Sequence, residues 1–297
     1  MKKIIKAKNI VKLSEESKKK LKEFSKDKLT LALDNEKYVN VYGIQYYSRG
    51  LLIAGYVVEP KNKKGKLPCI IWNRGGSRDF SSIKVGTCYA DIATLARQGY
   101  VVFASQYSGG PGSEDIDDWG DKNIEDVLVL RKIIKEWTNT DYNRIGMFGW
   151  SRGGMMTYRA LSLVKWIKAA VIIAGPTDEV NAPKFRKGWR EHQISLYGKS
   201  KKEQIKRSAF YWPEKIYKKT PILIIHGSAD WRVNVQDSIK MTAKLQEYKV
   251  PIRLVIFEGA DHGLTEFKKE TDEQVFNWFE RFLKNKEKMP NLKLHGK

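Results

Sequence analysis

Ser151 stands between Gly149 and Gly153 in "RIGMFGWSRGGMMTYRAL", Arg144 to Leu161, where an apolar run gives way to a helical pattern. A serine held on a sharp strand-to-helix turn needs neighbours without bulk, because backbone passes close on both sides. A hydroxyl is a weak nucleophile at neutral pH. It needs a base within hydrogen-bond reach and an acid that holds that base in one tautomer. His262 in "ADHG" and Asp230 in "HGSAD" supply those types. Of the other histidines, His226 lies inside a strand end and reads as a structural hydrogen-bonder, His192 falls in a charged insert and His295 in the tail. Asp261 and Asp237 compete for the acid role. Asp261 is adjacent to His262 and points badly for its ring, and Asp237 lies within a helical pattern, so Asp230 is preferred.

These residues need elements to carry them. "SEESKKKLKEFSK", 14–26, opens with a capping-box pattern and predicts one short surface helix. "YVNVYGIQYYS" and "LLIAGYVVEP" are β-rich runs joined by Arg49-Gly50, a hairpin signal. Strands and helices then alternate: strand "LPCIIWN", helix about 83–98, strand "YVVFAS", helix about 122–137, strand "RIGMFG" and a helix from Arg152. Strand "KAAVIIAG", a long insert, strand "PILIIHG", helix about 235–247, strand "IRLVIFEG" and a helix from about Glu266 complete the pattern. The expectation is an α/β fold with a mostly parallel eight-stranded sheet and helices on both faces. Ligands of such sheets bind beyond the C-terminal strand ends. Ser151, Asp230 and His262 each follow a strand, in the chain order that nucleophile-elbow hydrolases use.

An oxyanion needs backbone N–H donors. Arg152 offers one at a helix N-terminus, and Gly75 and Gly76 in "NRGGSRDF" offer a second, although such a pair also serves simply as a turn. The Arg152 side chain is expected to brace the loop by pairing with a carboxylate.

"DYNRIGMFGWSRGGMMTYRAL", "PILIIHGSADWRVNVQDSIKMTAKLQ", "GADHGL" and "NRGGSRDF" together resemble the catalytic domain of the prolyl oligopeptidase family of serine peptidases, within the α/β-hydrolase superfamily. The resemblance runs from about residue 51 to 286. It implies Ser151, Asp230 and His262 as the triad, with Arg152 and the Gly75–Gly76 loop at the oxyanion hole. Two departures stand out. Arg74 occupies the place where family members carry Tyr or His, and it is a candidate substrate contact. Only about 38 residues precede the first predicted strand, so the β-propeller gate of the family peptidases is not expected.

The domain reading is an N-terminal extension over 1–38, a catalytic domain over 39–288 with a cap or lid insert at 176–219, and a basic tail over 289–297. The insert carries many Lys and Arg with Trp189 and Trp212 among its aromatics, read either as packing or as substrate contacts. The net charge of +21 raises nucleic acid as a partner. Its distribution argues against one: twelve Lys against six acidic residues in 1–38, twelve Lys and Arg against five in 176–219, and five against one in 284–297 hold most of the excess. No nucleic-acid-binding fold organises it. "MKKIIKAKNIVKL" has no apolar run long enough for a signal peptide, and Cys69 and Cys88 make neither a metal-ligand spacing nor a disulfide framework. A cytoplasmic enzyme without metal or cofactor, acting on small esters or short peptides, is expected, with no membrane contact.

Overall fold

The computed structural model describes residues 4–62 and 64–296. Its strands are β1 (Ile5–Ile10), β2 (Val39–Ser48), β3 (Leu51–Pro60), β4 (Leu67–Asn73), β5 (Val101–Ser105), β6 (Thr140–Trp150), β7 (Ile167–Ile173), β8 (Ile222–Gly227) and β9 (Ile252–Phe257). They form a nine-stranded mixed sheet in the order β1-β2-β3-β5-β4-β6-β7-β8-β9. This corrects the expected eight. The extra strand, β1, reads "IKAKNI", too rich in lysine to announce itself. It forms because β2 offers an edge with unpaired backbone groups, and β1 lies antiparallel along it from Ile5↔Tyr46 to Ile10↔Tyr42. Among the described residues no helix is long and apolar enough to cross a membrane.

The chain divides into two compact units, Met1–Asp118 with Lys122–Ile145 and Trp119–Asp121 with Gly146–Lys297. In the first, β2 and β3 pair from Val39↔Pro60 to Ser48↔Leu51, leaving Arg49 and Gly50 as a two-residue turn. Both turn residues have positive φ, 53° and 83°. That is the geometry whose twist matches the flanking strands, and glycine at the second position adopts it without strain. β3 continues antiparallel onto β5, and β5 runs parallel to β4.

The N-terminal segment holds two helices where the sequence reading has one. Ser25 is extended, φ −167°, and closes the helix Glu15–Phe24 while capping the helix Lys26–Glu36 through Lys28 N–H. A single serine thus breaks one helix and starts the next. The segment is also tied down. Asn35, fully buried, donates to the Tyr89 carbonyl at 2.7 Å and accepts from Arg97 at 2.9 Å. Cys69 and Cys88 are free, buried thiols.

The second unit carries β7, β8 and β9, parallel neighbours in that order. All six residues of β8 are buried, as befits a strand covered on both faces, and β9 at the sheet edge is half-buried. The helices Arg152–Leu163, Val235–Glu247 and Lys268–Phe279 follow β6, β8 and β9. Between β7 and β8 the insert folds into three short helices, Ala182–Phe185, Trp189–Tyr197 and Lys201–Lys206, with two single turns after them.

If the N-terminal segment belongs to the fold as these contacts say, Asn35→Ala leaves a buried carbonyl without its donor. The expected cost is about 2 kcal/mol, read as a lower urea midpoint at unchanged slope. An unchanged midpoint would show a loosely attached tail.

Candidate active site

Ser151 follows β6 directly, with φ 56° and ψ −125°, a conformation that costs a non-glycine residue on the order of 1–3 kcal/mol. Two backbone bonds hold it there: Ser151 N–H to the Ile173 carbonyl and Gly154 N–H to the Ser151 carbonyl, both 2.8 Å. The flanking glycine is a steric necessity. A Cβ on Gly149 would stand 2.0 Å from the Gly153 oxygen and 2.5 Å from Thr157 Oγ1. The helix Arg152–Leu163 starts at the next residue, so its free N–H groups open beside the hydroxyl. The Arg152 guanidinium is buried, its Cζ 4.7 Å from the Trp119 ring centroid.

The loop after β8 brings Asp230 to His262 from the loop after β9. His262 Nδ1 lies 2.7 Å from Asp230 Oδ2. The other carboxylate oxygen accepts the backbone N–H groups of Arg232, 2.8 Å, and Val233, 3.0 Å. The carboxylate is buried, which opposes ionisation, but hydrogen bonds from His226 and His262 and from Val233 N–H prevail and hold it well below the usual carboxylate range. The competing acids are engaged elsewhere. Asp261 caps its own turn through Gly263 N–H, 2.7 Å, and Asp237 accepts from Thr177 N–H, 2.7 Å, and Asp178 N–H, 3.2 Å.

The serine turn and the histidine loop also meet. The indole of Trp150 donates to the His262 carbonyl at 3.1 Å. Among the described residues no hydrogen bond joins Ser151 Oγ to His262 Nε2.

The structure places the candidate substrate contacts inside the protein. Trp189 and Trp212 are buried, with indole N–H groups bonded to Glu179 Oε2 at 3.0 Å and to the Ile205 carbonyl at 2.9 Å. They pack the insert internally. Glu179, fully buried, also accepts from Trp119 Nε1, Gln193 Nε2 and Tyr197 hydroxyl at 3.2, 2.9 and 3.1 Å. Arg74, in the first unit, is 2% exposed and donates to the carbonyls of Gln106, Gly75, Phe80 and Arg78. Those bonds brace the loop that holds Gly75 and Gly76. Trp231, which the sequence reading does not single out, is 58% exposed directly after Asp230, with Arg232 Cζ 4.7 Å from its ring centroid. Its signal was plain: a large aromatic in the loop that carries the acid.

A mixed sheet with helices between parallel strands, and a serine on the turn after a strand, define an α/β-hydrolase. Solved structures agree in fold. The acylaminoacyl peptidase of Pyrococcus horikoshii matches with a TM-score of 0.75 at 21% identity, over 89% of this chain and 45% of that one. The Pyrococcus furiosus esterase matches at 0.64 and 19%, over 84% and 94%. The prolyl oligopeptidase family matches residues 87–286, and the chain belongs to that family. Among relatives, the uncharacterised peptidase YtmA of Bacillus subtilis is 27% identical over 262 residues, 84% of this chain and 95% of that protein. Dipeptidyl-peptidase 5 of Porphyromonas gingivalis is 26% identical over 260 residues, 79% of this chain but 36% of its own length.

Two expectations follow from this geometry. Gly149→Ala should break the serine turn, lowering stability by about 2 kcal/mol or more, measured by urea unfolding. The second concerns pH. Burial raises the Asp237 carboxyl from its ordinary 3.8 to about 6. Between those values the folded chain binds a proton that the unfolded chain has lost, so this group's contribution to stability falls as pH rises. Asp237→Asn keeps an oxygen for Thr177 N–H and should gain stability relative to the parent between about pH 4 and 7, checked by urea midpoints across that range.

Proposed function

We propose that Ser151, His262 and Asp230 are the nucleophile, general base and orienting acid of a serine hydrolase that works through an acyl-enzyme. The observation that carries this reading is the 2.7 Å bond from Asp230 to His262, in loops joined to the strained Ser151 turn through Trp150. His262 Nε2 takes the hydroxyl proton as Oγ attacks a carbonyl, and the imidazolium is stabilised by the buried carboxylate. The Arg152 N–H, first in its helix, donates to the oxyanion. The protonated His262 then protonates the leaving group, and a water activated by the same ring releases the acid.

Ester and peptide bonds are both substrates of this chemistry, and the relatives named above include peptidases and an esterase by name. An alkoxide leaves more readily than an amine and needs less complete protonation by His262. Activated short-chain esters are therefore turned over faster than matched aminoacyl amides. The insert over 176–219 acts as a lid by this reading, with the exposed Trp231 replacing Trp189 and Trp212 as the aromatic offered to substrate. The free, buried cysteines suit a reducing, cytoplasmic compartment.

A fluorophosphonate probe should label the parent protein and not Ser151→Ala, whose turnover of an activated ester should fall about 10⁴-fold with the fold intact. His262→Ala should be about as damaging, and the double variant little worse than either alone. Undiminished hydrolysis by Ser151→Ala would sink the mechanism.

A further inference from the structure

A second histidine touches the acid. His226, the fifth residue of β8, is fully buried, and its Nε2 lies 3.1 Å from Asp230 Oδ2 and 3.1 Å from the Val233 carbonyl. Its Nδ1 lies 2.7 Å from Ser238 Oγ, in the first turns of the helix Val235–Glu247. Both oxygens at Nε2 are acceptors, so Nε2 carries the ring proton. The hydroxyl at Nδ1 is the one neighbour able both to give and to take a proton. With Ser238 donating to Nδ1, every group in the chain is matched without a second ring proton. The opposite tautomer would aim a lone pair at a carboxylate and a carbonyl in a dry site.

We infer that His226 is a positioning residue for the reaction, holding Asp230 Oδ2 at the point where His262 binds it, with Ser238 Oγ anchoring the other ring nitrogen. The inference rests on the serine-hydrolase reading. Oδ2 receives His262 and His226, and Oδ1 receives two main-chain N–H groups, so the carboxylate cannot swing about its χ2 axis without breaking four bonds. His226 also draws charge from the oxygen that stabilises the imidazolium. Without it, Oδ2 would hold the His262 ring more tightly in its protonated form. Among the described residues, Arg186 of the insert acts on Asp230 and also on Arg232 and Glu179, and Asp237 beside Ser238 is coupled to Asp178 and Glu179.

The test compares His226→Leu, His226→Gln and Ser238→Ala on one activated ester across pH. His226→Leu should lower kcat about tenfold, the usual cost of one hydrogen bond to a charged group, with little change in KM. The acidic limb of its pH profile should move to higher pH. His226→Gln restores an N–H donor that does not titrate and should recover most of kcat. Ser238→Ala should fall about threefold and shift the limb the same way, since it takes the partner from Nδ1 and loosens the ring's hold on Asp230 without removing the ring. The His262 Nδ1 proton resonance, downfield in NMR, should move in Ser238→Ala. A folded His226→Leu with parental kcat and pH profile overturns the proposal, as does a Gln variant no better than Leu. Should His226→Leu fail to fold, Ser238→Ala decides: an unchanged kcat, limb and resonance would overturn it. Failure of the underlying reading looks different, because Ser151→Ala would then remain active.

Discussion

A carboxylate removed from water persists in its charged form only where donors replace the water, and Asp230 is given four. The second unit is arranged around that requirement. Two donors are main-chain N–H groups, so the loop must curl back on the acid at Arg232 and Val233. One comes from a histidine still inside β8, which fixes how far the strand extends before the loop begins. The fourth comes from a loop one strand away, so β8 and β9 must be parallel neighbours in register, His226 opposite Ile256 and Gly227 opposite Phe257. The space between the two loops is tight as well, for a Cβ at Gly227 would stand 2.3 Å from the Ala260 oxygen.

The insert is organised by a second buried carboxylate of a different kind. Glu179 is met by two indole N–H groups, an amide and a phenol, each neutral. Four neutral donors spread over Trp119, Trp189, Gln193 and Tyr197 draw distant stretches of the second unit to one point. Burial and the nearby Glu179 charge push the Tyr197 hydroxyl far above its ordinary range, so it stays a donor. This explains why Trp189 of the insert lies inside: its polar end is needed there, and the ring follows.

What was legible in the sequence was whatever depends on local pattern. Alternating apolar runs and helical periods gave eight strands in place, and Arg49-Gly50 gave the hairpin. Gly149 marked the serine turn because its reason for being small is local backbone crowding. Positions whose meaning lies in distant partners did not read out. β1 carries lysines because an edge strand tolerates them, and only β2 makes it a strand. Arg74 looked available because the carbonyls it meets, from Gln106 and Phe80, leave no mark in composition. His226 was read as a structural hydrogen-bonder, and its partner proved to be the acid four residues on, because the turn after Gly227 folds Asp230 back over the strand end.

The two cysteines of the chain fall in β4 and at Cys88, both in the first unit, and the second unit has none. Burial raises both thiols, so neither presents a reactive thiolate while that unit is closed. Alkylation is thereby a clock for opening of the first unit alone. Under the proposed mechanism, acylation of Ser151 requires the strained turn and its histidine, and so reads out the second unit's native geometry. The molecule carries two native chemical channels, one per unit, through which the cooperativity of its unfolding can be followed without an introduced label.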